Sequence, residues 1–137
     1  MTRRAGRPLS ERHVDVLLVE DDPTVSLMYQ TRLEADGYRV GVAADGQQGI
    51  DLALSLNPSV IVLDVQLPRR DGFEVLTILR RDAATRGIPV VLLSNFGDGS
   101  IVARGLELGA DQFLLKVHTT PAELSAEVGP WVHDSSP

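Results

Sequence analysis

The sequence predicts an α/β fold: one doubly wound, five-stranded parallel sheet with helices on both faces. Three observations lead there. Five short apolar runs recur along the chain, at 14–19, 38–43, 60–63, 89–93 and 112–115. All but the second are nearly continuous rather than alternating, the pattern of strands buried on both faces. Each run is followed by a stretch with helical spacing and with helix start or stop residues. Strand then helix, five times over, closes into a doubly wound sheet because parallel crossovers are right-handed.

The elements follow in order. "VDVLLV" (14–19) is the first strand. Asp22 is placed to cap the first helix, Pro23 to open it and Gly37 to stop it, with Val25, Met28 and Leu33 on one face. "YRVGVA" (38–43) alternates, as an edge strand does. The second helix, in "DGQQGIDLALSLN", aligns Ile50, Ala53 and Leu54. "VIVL" (60–63) is the third strand, and "DGFEVLTILRRD" aligns Phe73, Leu76 and Leu79. After "PVVLL" (89–93) the helix in "SIVARGLELG" contains Gly105 and follows Gly97 and Gly99. A helical Gly costs roughly 1 kcal/mol against Ala, so this fourth helix is expected to be short or mobile. "QFLL" (112–115) precedes a helix opened by Thr120-Pro121 and ended by Gly129-Pro130. The expected organisation is a basic flexible arm at 1–13, one domain at 14–128 and a tail at 129–137.

The chain has 137 residues, the size of one domain, and is 43% hydrophobic, enough for a core. It has no cysteine, which excludes disulfides, thiol catalysis and Cys-ligated zinc. The basic start lacks an uncharged apolar run behind it, so it is not read as a signal peptide, and no run is long enough to span a bilayer. A cytoplasmic location is expected, without membrane insertion. The first thirteen residues carry four Arg against one Glu, a net +3, leaving −9 for the rest of a chain of net charge −6. An acidic domain has no electrostatic footprint for nucleic acid, so no direct nucleic-acid binding is expected.

In such sheets ligands bind at the carboxyl ends of the strands. The first strand runs into Glu20-Asp21-Asp22, the third into Asp64, the fourth into Ser94 and the fifth into Lys116. Adjacent acids repel, and a carboxylate between apolar neighbours, as Asp64 is, is expensive. A hard cation with oxygen ligands, Mg²⁺ above all, relieves both costs. Asp22 has the simpler role of a cap. Lys116 is the only lysine among thirteen cations, the other twelve being Arg. A compact ammonium is not replaceable by a planar fork, which marks this position.

"VLLVEDD", "VIVLDVQLPRRDG", "VVLLSN" and "GADQFLLK" together resemble the receiver domain of two-component response regulators, over Val14 to Val128. The resemblance implies a flavodoxin-like strand order 2-1-3-4-5. It implies that Asp64 is the phosphoacceptor, that Lys116 and Ser94 contact the phosphoryl group, and that Ser94 and Phe113 switch. It implies an Mg²⁺ site from Asp21, Asp64 and the backbone carbonyl of Gln66, with Glu20 acting through water. Pro68 and Gly72 would shape the loop into the third helix. The implied donor is a phosphohistidine on a histidine kinase or phosphotransfer protein. The implied output is a protein target reached through the fourth helix, fifth strand and fifth helix, a face that also offers a homodimer contact. The only catalysis implied is the chain's own phosphotransfer and dephosphorylation.

The chain departs from the family pattern in having Val117 where a cis proline usually follows the lysine. A cis bond before a non-proline residue costs roughly 2.5–4 kcal/mol, so this bond is expected to be trans, and the path of the loop that holds Lys116 stays open. Seven residues after Pro130 are too few for an output domain, which suggests a stand-alone, chemotaxis-type receiver, with a receiver cut from a longer protein as the rival. A degenerate, phosphorylation-independent binding module is the other alternative; retention of Asp21, Asp64, Ser94 and Lys116 together counts against it. A haloacid-dehalogenase-type phosphatase would need Asp-x-Asp after the first strand, which "EDDPT" lacks, and a dinucleotide role would need a Gly-rich loop there.

Overall fold

The structure, a computed structural model, describes residues 13–68 and 70–132. Most of the basic arm and the end of the tail lie outside the described residues. The elements are β1 (Val16–Val19), α1 (Pro23–Ala35), β2 (Val40–Ala43), α2 (Gly46–Leu56), β3 (Val60–Asp64), α3 (Gly72–Arg81), β4 (Val90–Ser94), α4 (Gly99–Glu107), β5 (Gln112–Leu115) and α5 (Pro121–Val128). The five strands form one sheet in the order β2-β1-β3-β4-β5, all parallel. This is the expected flavodoxin-like arrangement.

Alternate residues of each strand feed two separate cores. Leu17, Val19, Ile61, Leu63 and Leu92 face α2 and α3 with Ile50, Ala53, Leu76 and Leu79. Val16, Leu18, Val62, Val91 and Leu93 face α1 and α5 with Tyr29, Leu33, Leu124 and Val128. The central strands are buried on both faces for this reason, and their runs read as continuous. "QFLL" reads the same way, yet all of β5 is only half-buried, because it is the last strand of the sheet.

Helix starts are chemical. The Asp22 carboxylate accepts from the Thr24 and Val25 amides, and Pro23 follows it. Asp71, Asp98 and the Thr120–Glu123 capping box do the same for α3, α4 and α5.

Two helix faces differ from the expected stripes. In α1 the buried residues are Ser26, Tyr29 and Leu33, whereas Met28 is 48% exposed. The helix is turned so that Tyr29, not Met28, meets α5. In α2 the inward stripe is Gly46, Gly49, Ile50 and Ala53, and Leu54 is exposed. Gly49 lies against Val19, where a Cβ would sit 3.0 Å from the Val19 methyls, so the helix approaches β1 through its glycines. Gly105 of α4 has the same logic: a Cβ there would lie 2.6 Å from Leu92 Cδ1. Its helix-weakening glycine is what lets a nine-residue α4 pack closely.

Candidate functional site

Strand register builds the site. Val19 pairs with Leu63, so Glu20, the next residue, stands at the same rim as Asp64. Asp64 pairs with Leu93, and Ser94 pairs with Leu115, which brings Ser94 and Lys116 to that rim as well. The carboxyl ends of four strands thus deliver two acids, a hydroxyl and an ammonium together.

Lys116 Nζ lies 2.8 Å from Asp64 Oδ2 and 2.7 Å from Glu20 Oε1. Asp64 and Glu20 are each 2% exposed, and the Lys116 side chain 14%. Asp64 Oδ1 accepts from the Gln66 amide at 3.1 Å. Glu20 Oε2 accepts from the Asp22 amide at 3.0 Å. Glu20 Oε1 is buried and has the Lys116 charge beside it, but no aligned hydrogen bond. Burial pushes the Asp64 carboxyl up to about 6; Lys116 works against this and Glu20 adds to it. Burial opposes the charge on Lys116, but its pairing with the Asp64 and Glu20 carboxylates outweighs that and holds its pKa above the ordinary lysine value.

Glu20, Asp21 and Asp64 each offer an oxygen within 4.8 Å of the others, with Asp21 exposed. An all-oxygen donor set, with one buried carboxylate oxygen lacking an aligned donor, fits a hard divalent cation such as Mg²⁺. Gly72 shapes the loop at this point. Its N–H donates to the Val65 carbonyl at 2.9 Å, and a Cβ there would stand 2.3 Å from the Asp64 carbonyl oxygen. Pro68 is exposed on the same loop.

Among the described residues no peptide bond is cis, so Lys116–Val117 is trans as expected. Lys116 nevertheless reaches both acids. A single 3₁₀ turn spans Lys116–His118, with Val117 pointing outward, 73% exposed. Three bonds hold it: the Thr119 N–H donates to the Lys116 carbonyl at 3.1 Å, Thr119 Oγ1 donates to the Leu115 carbonyl at 2.7 Å, and the buried Tyr29 hydroxyl donates to the Thr119 carbonyl at 2.9 Å. Burial pushes the Tyr29 hydroxyl's pKa up, which keeps it a donor. Phe113 is half-buried against the core on the α3 side, and its ring would be 3.3 Å from a Cβ at Gly105.

Sequence reasoning missed two contributors. One is Tyr29; a buried Tyr needs a hydroxyl partner, which was the available signal. The other is the Gln66 side chain. Ser94 is fully buried, and its Oγ accepts from the Phe96 amide at 3.0 Å and lies 3.0 Å from Gln66 Nε2. The sequence placed only the backbone carbonyl of Gln66 in the site.

A family model described as the response regulator receiver domain matches residues 16–128. The chain is 43% identical over 101 residues to the DNA-binding dual master transcriptional regulator RpaA of Synechocystis sp., covering 74% of this chain and 42% of that protein. The chain thus spans less than half the length of that curated relative. The chemotaxis protein CheY4 of Vibrio cholerae superposes with TM-score 0.80 at 27% identity, over 88% of this chain and 99% of that one. The receiver domain of sensor histidine kinase PA1611 from Pseudomonas aeruginosa, with magnesium coordinated in its active-site cleft, gives TM-score 0.78 at 28% identity, over 87% of this chain and 97% of that one.

These findings correct one expectation. Acidic charge argues against a nucleic-acid partner and for output through protein contacts alone, yet RpaA, one of the curated relatives, is a DNA-binding regulator by name. The physical error is one of scope. The charge of a domain describes that domain's own surface, and this chain matches only 42% of the length of RpaA. Among the described residues no helix is long and apolar enough to cross a membrane.

Proposed function

The chain belongs to the response regulator receiver family, and we propose that it accepts a phosphoryl group from a histidine kinase on Asp64 and changes conformation in response. The observation that carries this is the buried Asp64 carboxylate, 2% exposed, with the Lys116 ammonium 2.8 Å away at the rim of a parallel sheet. A buried acid held ionised by an adjacent ammonium is a nucleophile in waiting. An Asp64 oxygen attacks the phosphorus, the O–P bond forms as the P–N bond to the donor imidazole breaks, and the imidazole leaves with the electron pair. Lys116 and the Ser94 hydroxyl are the groups placed to take charge that develops on the phosphoryl oxygens. Mg²⁺, held by Asp21, Asp64 and the Gln66 carbonyl with Glu20 through water, would supply further positive charge to those oxygens when bound. Water later attacks the phosphorus, releasing inorganic phosphate and returning the Asp64 carboxylate; no other turnover is proposed.

The responding region is the segment from Ser94 to Lys116, with the half-buried Phe113 beneath the short α4, so that the face of α4, β5 and α5 carries the output. The name of the relative RpaA favours an output in transcription, through a DNA-binding element that this face controls. A cytoplasmic location accords with this chemistry. The test is incubation with Mg²⁺ and acetyl phosphate, followed by intact-mass measurement. The expected result is one acid-stable, base-labile phosphoryl group, absent in Asp64→Asn. Labelling of the Asn variant would overturn the assignment; an unlabelled parent would favour a phosphorylation-independent module.

A further inference from the structure

We propose that the Gln66 side-chain amide occupies, before phosphoryl transfer, the pair of donors at the end of β4 that a phosphoryl oxygen on Asp64 needs, and must swing out for that group to be held. The proposal rests on the phosphoacceptor reading of Asp64.

Gln66 lies two residues beyond Asp64 and reaches across to the neighbouring strand. Its Oε1 accepts from the Asn95 amide at 3.1 Å and from the Ser94 hydroxyl at 3.3 Å, while its Nε2 lies 3.0 Å from Ser94 Oγ. Because Asp64 pairs with Leu93, Ser94, the last residue of β4, and Asn95 after it are the first residues past the level of Asp64. The other donors at Asp64 are already assigned: the Gln66 N–H to Oδ1 and the Lys116 ammonium to Oδ2. On the β4 side, the donors a phosphoryl oxygen would seek are the Ser94 O–H and the Asn95 N–H, and the Gln66 side-chain carbonyl accepts from both.

An amide oxygen and a phosphoryl oxygen ask the same of these donors, since both are pure acceptors. They differ in charge. Hydrogen bonds to an ionised acceptor are roughly twice as strong as neutral ones. With no phosphoryl group the amide holds the donors; with one present the charged oxygen displaces it. The exit is available, because Gln66 is half-buried and its amide can turn to water. The buried Ser94 has no such freedom. Gln66 thus delays capture and re-seats after hydrolysis.

The experiment uses the full chain with Mg²⁺ and acetyl phosphate below saturation. An Asp64 oxygen attacks the phosphorus, and acetate leaves with the electron pair of the broken P–O bond. Gln66→Met keeps the reach of the side chain and removes its acceptor; Gln66→Ala is the second variant. Both are expected to raise the initial labelling rate about three- to tenfold, the scale of a released hydrogen bond. In ¹H–¹⁵N spectra the Asn95 amide should move in Gln66→Met alone, and beryllofluoride should bring parent and variant to a common Asn95 position. Labelling that is unchanged or slower in both variants would overturn the proposal, as would an Asn95 amide indifferent to the substitution. A slower rate would show that Gln66 positions Ser94 productively. If the parent does not label, the phosphoacceptor reading fails and this proposal with it. If parent and variants label equally, only this proposal fails.

Discussion

Removing the ammonium of Lys116 isolates the buried acid pair. In Lys116→Ala, Glu20 and Asp64 keep their places at the rim, each 2% exposed, with no cation between them. Taking one partner from a buried ion pair costs about 3–5 kcal/mol, because the remaining charge is left uncompensated. Here the system has a way to relax. The Asp64 carboxyl, already pushed up to about 6 by burial, rises further once Lys116 no longer opposes it, and it takes up a proton at neutral pH. The cost at about pH 7.5 is therefore expected near the lower end, about 3 kcal/mol, or roughly a 10 °C fall in Tm for a domain of this size. A carboxyl whose folded pKa lies above its unfolded value loses stability as pH rises through that window. Parent and variant share the protonated Asp64 below about 6, so the deficit is small there and grows above it. Thermal melts by circular dichroism, at about pH 5 and about pH 7.5, with EDTA and with Mg²⁺, measure it. Mg²⁺ should return part of the loss by binding the folded site. A deficit equal at both pH values, or below about 1 kcal/mol at the higher one, would refute the reasoning.

Asp21→Ala should abolish most of the Tm gain that Mg²⁺ gives the parent, because it removes the exposed member of the oxygen cluster; an undiminished gain in a Mg²⁺ titration would place the ion elsewhere. Tyr29→Phe should cost about 1 kcal/mol through the orphaned Thr119 carbonyl, and it should slow acetyl phosphate labelling by loosening the turn that carries Lys116; loss of stability with an unchanged labelling rate would confine Tyr29 to the core. Labelling without other change should fall as pH drops through about 6, because Asp64 becomes protonated, and the midpoint should move lower as Mg²⁺ is raised; a pH-independent rate would contradict the raised carboxyl. Beryllofluoride with Mg²⁺ should slow hydrogen exchange mainly across residues 94–110; protection confined to the neighbourhood of Asp21 and Asp64 would remove the face of α4, β5 and α5 as the responding surface.

The strands were legible because burial on both faces leaves nothing but apolar residues between the turns, and the central runs read that way. The rim was legible because a parallel sheet delivers all its carboxyl ends to one side, so acids and a lone lysine at those ends had to meet. Which stripe of a helix faces inward was less legible. Met28 and Tyr29 are adjacent, and either completes a helical stripe with Val25 and Leu33; what decides is that Tyr29 has a partner ninety residues on, at Thr119. The Gln66 contact is of the same kind. A side-chain amide shows no preference in sequence for the strand it will reach across to, and only the β3–β4 register brings Ser94 and Asn95 under it. Net charge misled because it was applied beyond the surface it describes.

Val117 joins these strands of argument. Val117 in place of proline leaves no ring to fix the path of the chain after Lys116, and ordering a free loop there has an entropic cost of about 1–2 kcal/mol per residue. The chain meets that cost with a local 3₁₀ turn and one long-range bond. Thr119 closes the turn onto Leu115, and Tyr29 ties the turn to α1, the helix that begins directly beyond Glu20 and Asp21. The helix that follows the acid pair in sequence thus also braces, through Tyr29, the turn that carries the cation. Asp64 is held by β3, so a shift of α1 relative to the sheet would draw the turn and its ammonium away from Asp64 for as long as the Tyr29 bond held.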